Sequence, residues 1–262
     1  EVRNMASITL DKKTWLKHLG QFQSNINDLT LIVYENPSCL GYGVGYQTHF
    51  YRMFEQYPNA TNVKAGKLEV SDLSKVCAFL KKCDGLVTIK QTNGGKTLYV
   101  YQDNLKLTLP VTDIKSNKIV KNYEALVVAS QGNEWESFGN DNYGVTARTR
   151  LAEIIKLAGL SNLVSKNADY TVNVNADSAE VAVSVGKQHD AKVFAVSNLS
   201  DVDDSSGAGE YESSFGPWLL PCLSLVNPNM TSRIHFGQST GLVIRQTSNT
   251  VQRLLIIIDQ QV

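Results

Sequence analysis

Apolar and polar positions along the chain repeat one unit four times. In each copy a short strand runs into an amphipathic helix of about ten residues, and β-rich sequence follows. The first copy has its strand at 6–10, its helix at 11–22 and further strands from 28. The second has these at 67–70, 71–84 and from 86, and the third at 143–147, 148–160 and from 170. The fourth, at 210–212, 214–226 and from 232, is the weak copy, because Pro221 breaks or bends a helix interior. Four units make two similar halves, an arrangement that suits symmetry better than a single catalytic pocket.

The helical stripes are regular. Asp11 is an N-cap residue type, and Trp15, Leu16, Leu19 and Phe22 follow at helical spacing. Ser71 or Asp72 opens the second helix, Leu73, Val76, Cys77 and Leu80 form its stripe, and Gly85 suits the position just past its end. Leu151, Ile154, Ile155 and Ala158 line the third. The fourth segment begins at Ser214-Phe215-Gly216-Pro217, carries no Lys or Arg, and reads as a short, buried, bent helix. Each stripe must cover a sheet, which leaves the opposite side in solvent.

Strands are expected at 29–34, 86–91, 97–102, 105–109, 170–174, 180–185, 192–196, 233–236, 242–246 and 254–258. Asn93-Gly94 marks one hairpin and 175–179 a second. Two segments fall outside the units. Residues 113–142 are polar and read as a connector with one strand at 124–129, which divides the chain into domains 1–112 and 143–262. Residues 198–209, with Asp201, Asp203 and Asp204, read as an exposed acidic loop.

Charge changes this picture. Lysine plus arginine and aspartate plus glutamate both total 25, so the net charge is zero, which by itself argues against a nucleic-acid binder. The distribution is uneven. The first helix holds Lys12, Lys13 and Lys17, the second Lys75, Lys81 and Lys82 against Asp72 and Asp84, and the third Arg148, Arg150 and Lys156 against Glu153. A neutral chain that gathers its cations on its helices has two electrostatic faces.

Other chemistry is weak. The four cysteines (Cys39, Cys77, Cys83, Cys222) are read as free thiols. His18, His49, His189 and His235 are scattered and lack metal-ligand spacing. Gly41-Tyr42-Gly43-Val44-Gly45 has no following Lys-Ser/Thr, so it is not a phosphate loop. The three aspartates from Asp201 could hold a cation, but a mobile loop is the simpler reading. No Ser/His/Asp set is identifiable, so neither enzyme activity nor a cofactor is expected. No signal peptide or membrane-spanning run is seen, and Met5-Ala6-Ser7 reads as a translation start.

The residues also resemble a family. Two units per half, two halves per chain and lysine-bearing helices look like the DNA sliding clamps, the class of proliferating cell nuclear antigen and the T-even phage clamp. Local likeness lies in Ser71-Asp72-Leu73-Ser74-Lys75-Val76. It lies also in the run from Ser232-Arg233-Ile234-His235-Phe236-Gly237, through Leu242-Val243-Ile244, to Leu254-Leu255-Ile256-Ile257-Ile258, which is similar to the family's terminal strands. The connector is longer than in the eukaryotic clamp, which leans toward a viral or phage version.

The resemblance implies an α+β, two-domain clamp fold, with antiparallel sheets outside and short helices lining a homotrimeric ring around duplex DNA. It implies contact with DNA without regard to sequence, and partners that include a DNA polymerase and a clamp loader. It implies a cytoplasmic location (the host cytoplasm for a phage) or a nuclear one, with no membrane. By position, Lys12, Lys13, Lys17, Lys75, Lys82, Arg148, Arg150 and Lys156 would face DNA, with Lys81 at the margin. Partner peptides would meet Leu40, Tyr42, Ile119, Val120, Leu126 and Ile258. Two rivals remain: a β-rich virion or tail protein, and a monomeric clamp-like processivity factor that holds DNA by charge alone.

Overall fold

A computed structural model describes residues 5–22, 27–92, 95–112, 114, 116–131, 137–138, 141–157, 164, 169–186 and 192–260. The chain divides into two compact units. Unit one comprises Glu1–Gly45, Arg52–Val120 and Asn249–Val251, and unit two comprises Tyr46–Tyr51, Lys121–Ser248 and Gln252–Val262.

Unit one contains β1 (Met5–Asp11), α1 (Lys12–Leu19) with a 3₁₀ turn to Phe22, β2 (Leu29–Tyr34) and β3 (Cys39–Gly45). After β4 (His49–Gln56), which enters this unit at Arg52, come β5 (Thr61–Lys64), β6 (Gly66–Val70), α2 (Leu73–Lys82), β7 (Leu86–Thr92), β8 (Thr97–Gln102) and β9 (Leu105–Pro110). One sheet runs β5-β1-β7-β8-β9, and the other runs β4-β3-β2-β6. Alternation along the strands builds the core. Ala6, Ile8 and Leu10 of β1 are buried, as are Val87, Ile89, Leu98 and Val100, while Leu29, Leu31 and Val33 of β2 fill the second sheet's inner face. Gly41 has a packing role, because a Cβ there would lie 2.7 Å from the Phe54 ring. The glycine-rich segment 41–45 is therefore strand β3, and its glycines admit neighbours instead of phosphate.

Both helix starts agree with the sequence. Asp11 Oδ1 accepts the Lys13 amide at 2.8 Å, and Asp72 Oδ1 accepts that of Lys75 at 3.0 Å. Leu73, Val76, Cys77 and Leu80 are all buried, and so are Trp15, Leu19 and Phe22. Leu16 is only half-buried, and His18 takes its place inside, 3.1 Å from Glu55. The Trp15 indole donates to Val87 O at 3.0 Å, which ties α1 to the sheet beneath it.

Unit two repeats the plan. Its elements are β10 (Ser137–Phe138), β11 (Asp141–Asn142), β12 (Val145–Thr149), α4 (Ala152–Lys156), β13 (Tyr170–Asn175), β14 (Glu180–Val185), β15 (Val193–Asn198) and β16 (Ser200–Asp204). There follow β17 (Glu210–Phe215), α5 (Leu219–Leu223), β18 (Ser232–Phe236), β19 (Leu242–Thr247) and β20 (Val251–Ile257). The sheets run β16-β12-β18-β19-β20 and β15-β14-β13-β17, strand for strand the orders seen in unit one. Within unit two β20 has a further neighbour, the opening residues of β4, and Ile258 N donates to Thr48 O at 2.9 Å. The expected two-half repeat is thus present in the topology.

Four expectations are corrected. Residues 124–129 are not a strand but lie in helix α3 (Ser116–Gln131). The β-branched Val127 and Val128 pointed to a strand, whereas Ile119 and Tyr123, one turn apart, mark the helix. The third helix does not begin at Arg148. The strand carries on through Thr149, because Val145-Thr-Ala-Arg-Thr149 alternates and pairs in full register with β18, and the helix starts at Ala152. Likewise the fourth strand extends to Phe215 and its helix is confined to Leu219–Leu223, with Pro221 inside it. The acidic segment is partly ordered as β16, the edge partner of β12, so Asp201, Asp203 and Asp204 sit on a strand. Ala158, Asn93, Gly94 and His189 lie outside the described residues. All four cysteines are buried and free.

Trp15 is fully buried and hydrogen-bonded. Trp15→Ala is expected to cost about 3–5 kcal/mol, read as a lowered urea midpoint with an unchanged m-value.

Candidate nucleic-acid interface

In unit one α1 and α2 lie side by side and expose a basic surface. Lys13 and Lys17 stand one turn apart on α1, and Lys75, Lys81 and Lys82 on α2; all five are exposed. Lys12 differs. It is half-buried, and its ammonium donates to Cys83 O and lies 3.2 Å from Asp84. It therefore satisfies the carbonyl end of α2, where a cation also meets the favourable end of the helix dipole. Lys75 pairs with Asp72 at 2.9 Å, an exposed contact worth little. Hydrogen bonding from Lys75, side chain then backbone, holds the Asp72 carboxyl below the usual range. Among the described residues, Lys13, Lys17, Lys81 and Lys82 have no carboxylate partner, so their charge projects into solvent.

Unit two is less basic on its helices. Lys156 is exposed and pairs with Glu153 at 2.6 Å, while Arg150 is exposed in the turn before α4. Arg148 belongs to β12 and contacts Asp201 at 3.0 Å. Its Cα partner on β18 is Arg233, whose own partner on β19 is Arg245, so three arginines stand in line across adjacent strands. They alternate with the buried Ala147, Ile234 and Ile244 and so occupy the sheet face away from that core. Together with Thr231 and Thr247 they line an open cavity of about 400 Å³. Sequence reasoning did not group them, since they come from three separate strands.

His235 lies beside this ladder, buried, with Nδ1 3.1 Å from the Thr146 hydroxyl. Burial first, then Arg245 and Arg233, pushes its pKa down to about 3. Burial alone lowers His49 to about 4.

The proposed partner residues separate. Leu40 is fully buried in the core of unit one, so it packs the fold and offers no surface. The Tyr42 side chain lies outside the described residues. Ile119 and Val120 are half-buried on α3, and a Cβ at Gly45 would lie 2.8 Å from Ile119, so that glycine lets the helix seat on β3. In unit two Leu126 is 41% exposed. Ile258 is half-buried, and its carbonyl accepts the Trp218 indole at 3.4 Å. Trp218 and Pro217, also half-exposed, were missed by sequence reasoning. The Phe-Gly-Pro-Trp run was the available signal, since a Cβ at Gly216 would meet the Trp218 ring at 2.0 Å.

Two of the strands that pair on one side only among the described residues stand out. These are β9 in unit one and β15 in unit two. Both carry exposed apolar side chains, Leu105 at 51%, Phe194 at 68% and Val196 at 37%. No helix among the described residues is long and apolar enough to cross a membrane.

No protein-family model matches the sequence, and no curated protein matches it. Solved structures do match its fold. PCNA from A. fulgidus, solved with the C-terminal region of FEN-1 bound, superposes with a TM-score of 0.66 over 98% of both chains at 10% identity. PCNA from Thermococcus kodakaraensis gives 0.66 over 97% of this chain and 99% of that one, at 12% identity. The Helicobacter pylori beta clamp bound to a DNA ligase peptide gives 0.66 at 11% identity, over 98% of this chain and 67% of that one. The chain has the sliding-clamp fold.

The histidines generate a pH prediction. Both are held neutral when folded, with pKa values below the ordinary 6.5, so the unfolded chain takes up their protons first on acidification. Their stabilising contribution is complete above about pH 6.5. It is lost as pH falls toward about 4 for His49 and about 3 for His235, by up to about 1.4 kcal/mol per pH unit each. His235→Gln should flatten the fall in urea-unfolding free energy across this window, and an unchanged slope would contradict the assignment.

Proposed function

We propose that this chain is a DNA sliding clamp, a non-enzymatic processivity factor that closes as a ring of three copies around duplex DNA. The observation that carries the reading is the exposed cation set on α1 and α2, with Lys13, Lys17, Lys81 and Lys82 free of carboxylate partners, within this fold. These side chains would meet duplex phosphates, which carry no sequence information, so the ring can slide. Lys75, Arg150 and Lys156 would add weaker contacts. Lys12 serves mainly as a tie between helices.

The free edges support closure. In unit two the last strand of the five-stranded order, β20, is completed by β4. Its counterpart in unit one is β9, and the counterpart of β4 is β15; both are open. Pairing β9 of one copy with β15 of the next satisfies the backbone groups and covers Leu105, Phe194 and Val196. Such a contact joins unlike surfaces and forms a ring when its rotation closes. A polymerase held by the ring would then stay on its template. Peptides of such partners, and of a clamp loader, would use Leu126 and the Trp218–Ile258 surface of unit two.

Light scattering should give a discrete species near three times 28.9 kDa. Phe194→Asp, at an exposed position, should yield folded monomer. A loaded ring should stay on circular plasmid and slip from linearised plasmid; equal retention on both would favour a monomer that holds DNA by charge. Lys13→Gln/Lys17→Gln should leave the trimer intact and reduce the log–log salt slope of duplex binding by about 1.8, for two lost phosphate contacts.

A further inference from the structure

We propose that the arginine ladder of unit two, Arg148–Arg233–Arg245, binds the phosphate backbone of a single DNA strand, at a site separate from the lysines of α1 and α2. Like charges placed directly opposite on neighbouring strands destabilise a sheet. Here two such pairs follow one another, Arg148 opposite Arg233 and Arg233 opposite Arg245. Asp201 offsets the charge at one end, 3.0 Å from Arg148. An oxyanion seated between Arg148 and Arg233 would meet both guanidinium groups.

The chemistry of the cavity selects its ligand. The planar guanidinium fork matches phosphate oxygens two at a time. Thr231 and Thr247, which also line the cavity, carry hydroxyls of the kind that contact phosphates. Adjacent strands are about 4.8 Å apart, so the three arginines cover roughly 10 Å in a line, which suits successive phosphates of one strand. The lining holds no aromatic ring on which a base could stack, so contact would be confined to the backbone, which carries no sequence information. It also holds no apolar side chain to anchor an acidic peptide, which favours a nucleic-acid backbone over a protein segment.

The test is anisotropy of a labelled oligothymidylate, about 12 nucleotides long, with the full chain at low salt. The probe is linear and needs no ring, so failure here leaves the clamp reading standing, and the reverse also holds. Arg233→Gln/Arg245→Gln should weaken binding at least tenfold and lower the salt slope by about 1.4, for two lost single-strand contacts. Arg233→Lys/Arg245→Lys keeps the charge but removes the fork. It should weaken binding while leaving the slope near that of the unaltered chain, and it serves as the test if the glutamine variant fails to fold. Lys13→Gln/Lys17→Gln should weaken oligothymidylate binding less than either arginine variant does. Unaltered affinity in both arginine variants would overturn the proposal. So would a polyglutamate peptide that binds more tightly than the oligonucleotide and is lost in the same variants, since that assigns the ladder to an acidic protein segment.

Discussion

A β-strand must pair its backbone on both sides or leave a row of unsatisfied groups, and this requirement organises the molecule. Each unit builds a five-stranded order from the same parts. The first strand of each half, β1 or β12, lies between a short outer partner, β5 or β16, and the strand that follows the half's second repeat helix, β7 after α2 or β18 after α5. Both outer pairings are irregular, with the register shifting between Ser7 and Thr9 in one and between Thr146 and Arg148 in the other. Short, irregular, charged edges of this kind resist further pairing. The edges β9 and β15 are six residues long, pair with their inner neighbours in unbroken register and bear exposed apolar side chains. That contrast separates edges that terminate a sheet from edges suited to continue it.

Helix packing sets the second constraint. A helix on a sheet buries one stripe and exposes the rest. In unit one Trp15 and Lys12 make the ties: an indole bonded to Val87 O below, and an ammonium at the end of α2 beside. With the apolar stripes fixed, Lys13, Lys17, Lys81 and Lys82 are left in solvent by default. The basic surface follows from how the core packs, which lets a neutral chain carry a cationic face. Unit two resolves the same plan differently. Its helices α4 and α5 are five residues each, and its strongest positive feature lies on a sheet.

Much of this was legible beforehand. The four-fold repeat, both N-caps, the buried stripe of α2 and the hairpin of β13 with β14 follow from periodicity and capping chemistry, which act within a few residues. Errors arose where a local pattern was ambiguous. Thr-Ala-Arg-Thr at 146–149 suits either the end of a strand or the start of a helix, and pairing with β18 decided for the strand. Val127 and Val128 favour a strand in isolation, yet they lie in a helix. The acidic run from Asp201 looked like a loop until β12 offered it an edge.

The sequence alone therefore determined the repeat, the two halves, most strands and the cationic side of the first two helices, because these depend on spacing along the chain. Only tertiary structure decided which charges remain free, which edges stay open and which residues meet. Lys12 and Cys83 are 71 positions apart, and the three arginines of the ladder come from β12, β18 and β19. Leu40 and Leu126 are both apolar and indistinguishable in the sequence, yet one is buried and the other 41% exposed. Strand register and helix seating set these outcomes over long range, and no local pattern encodes them.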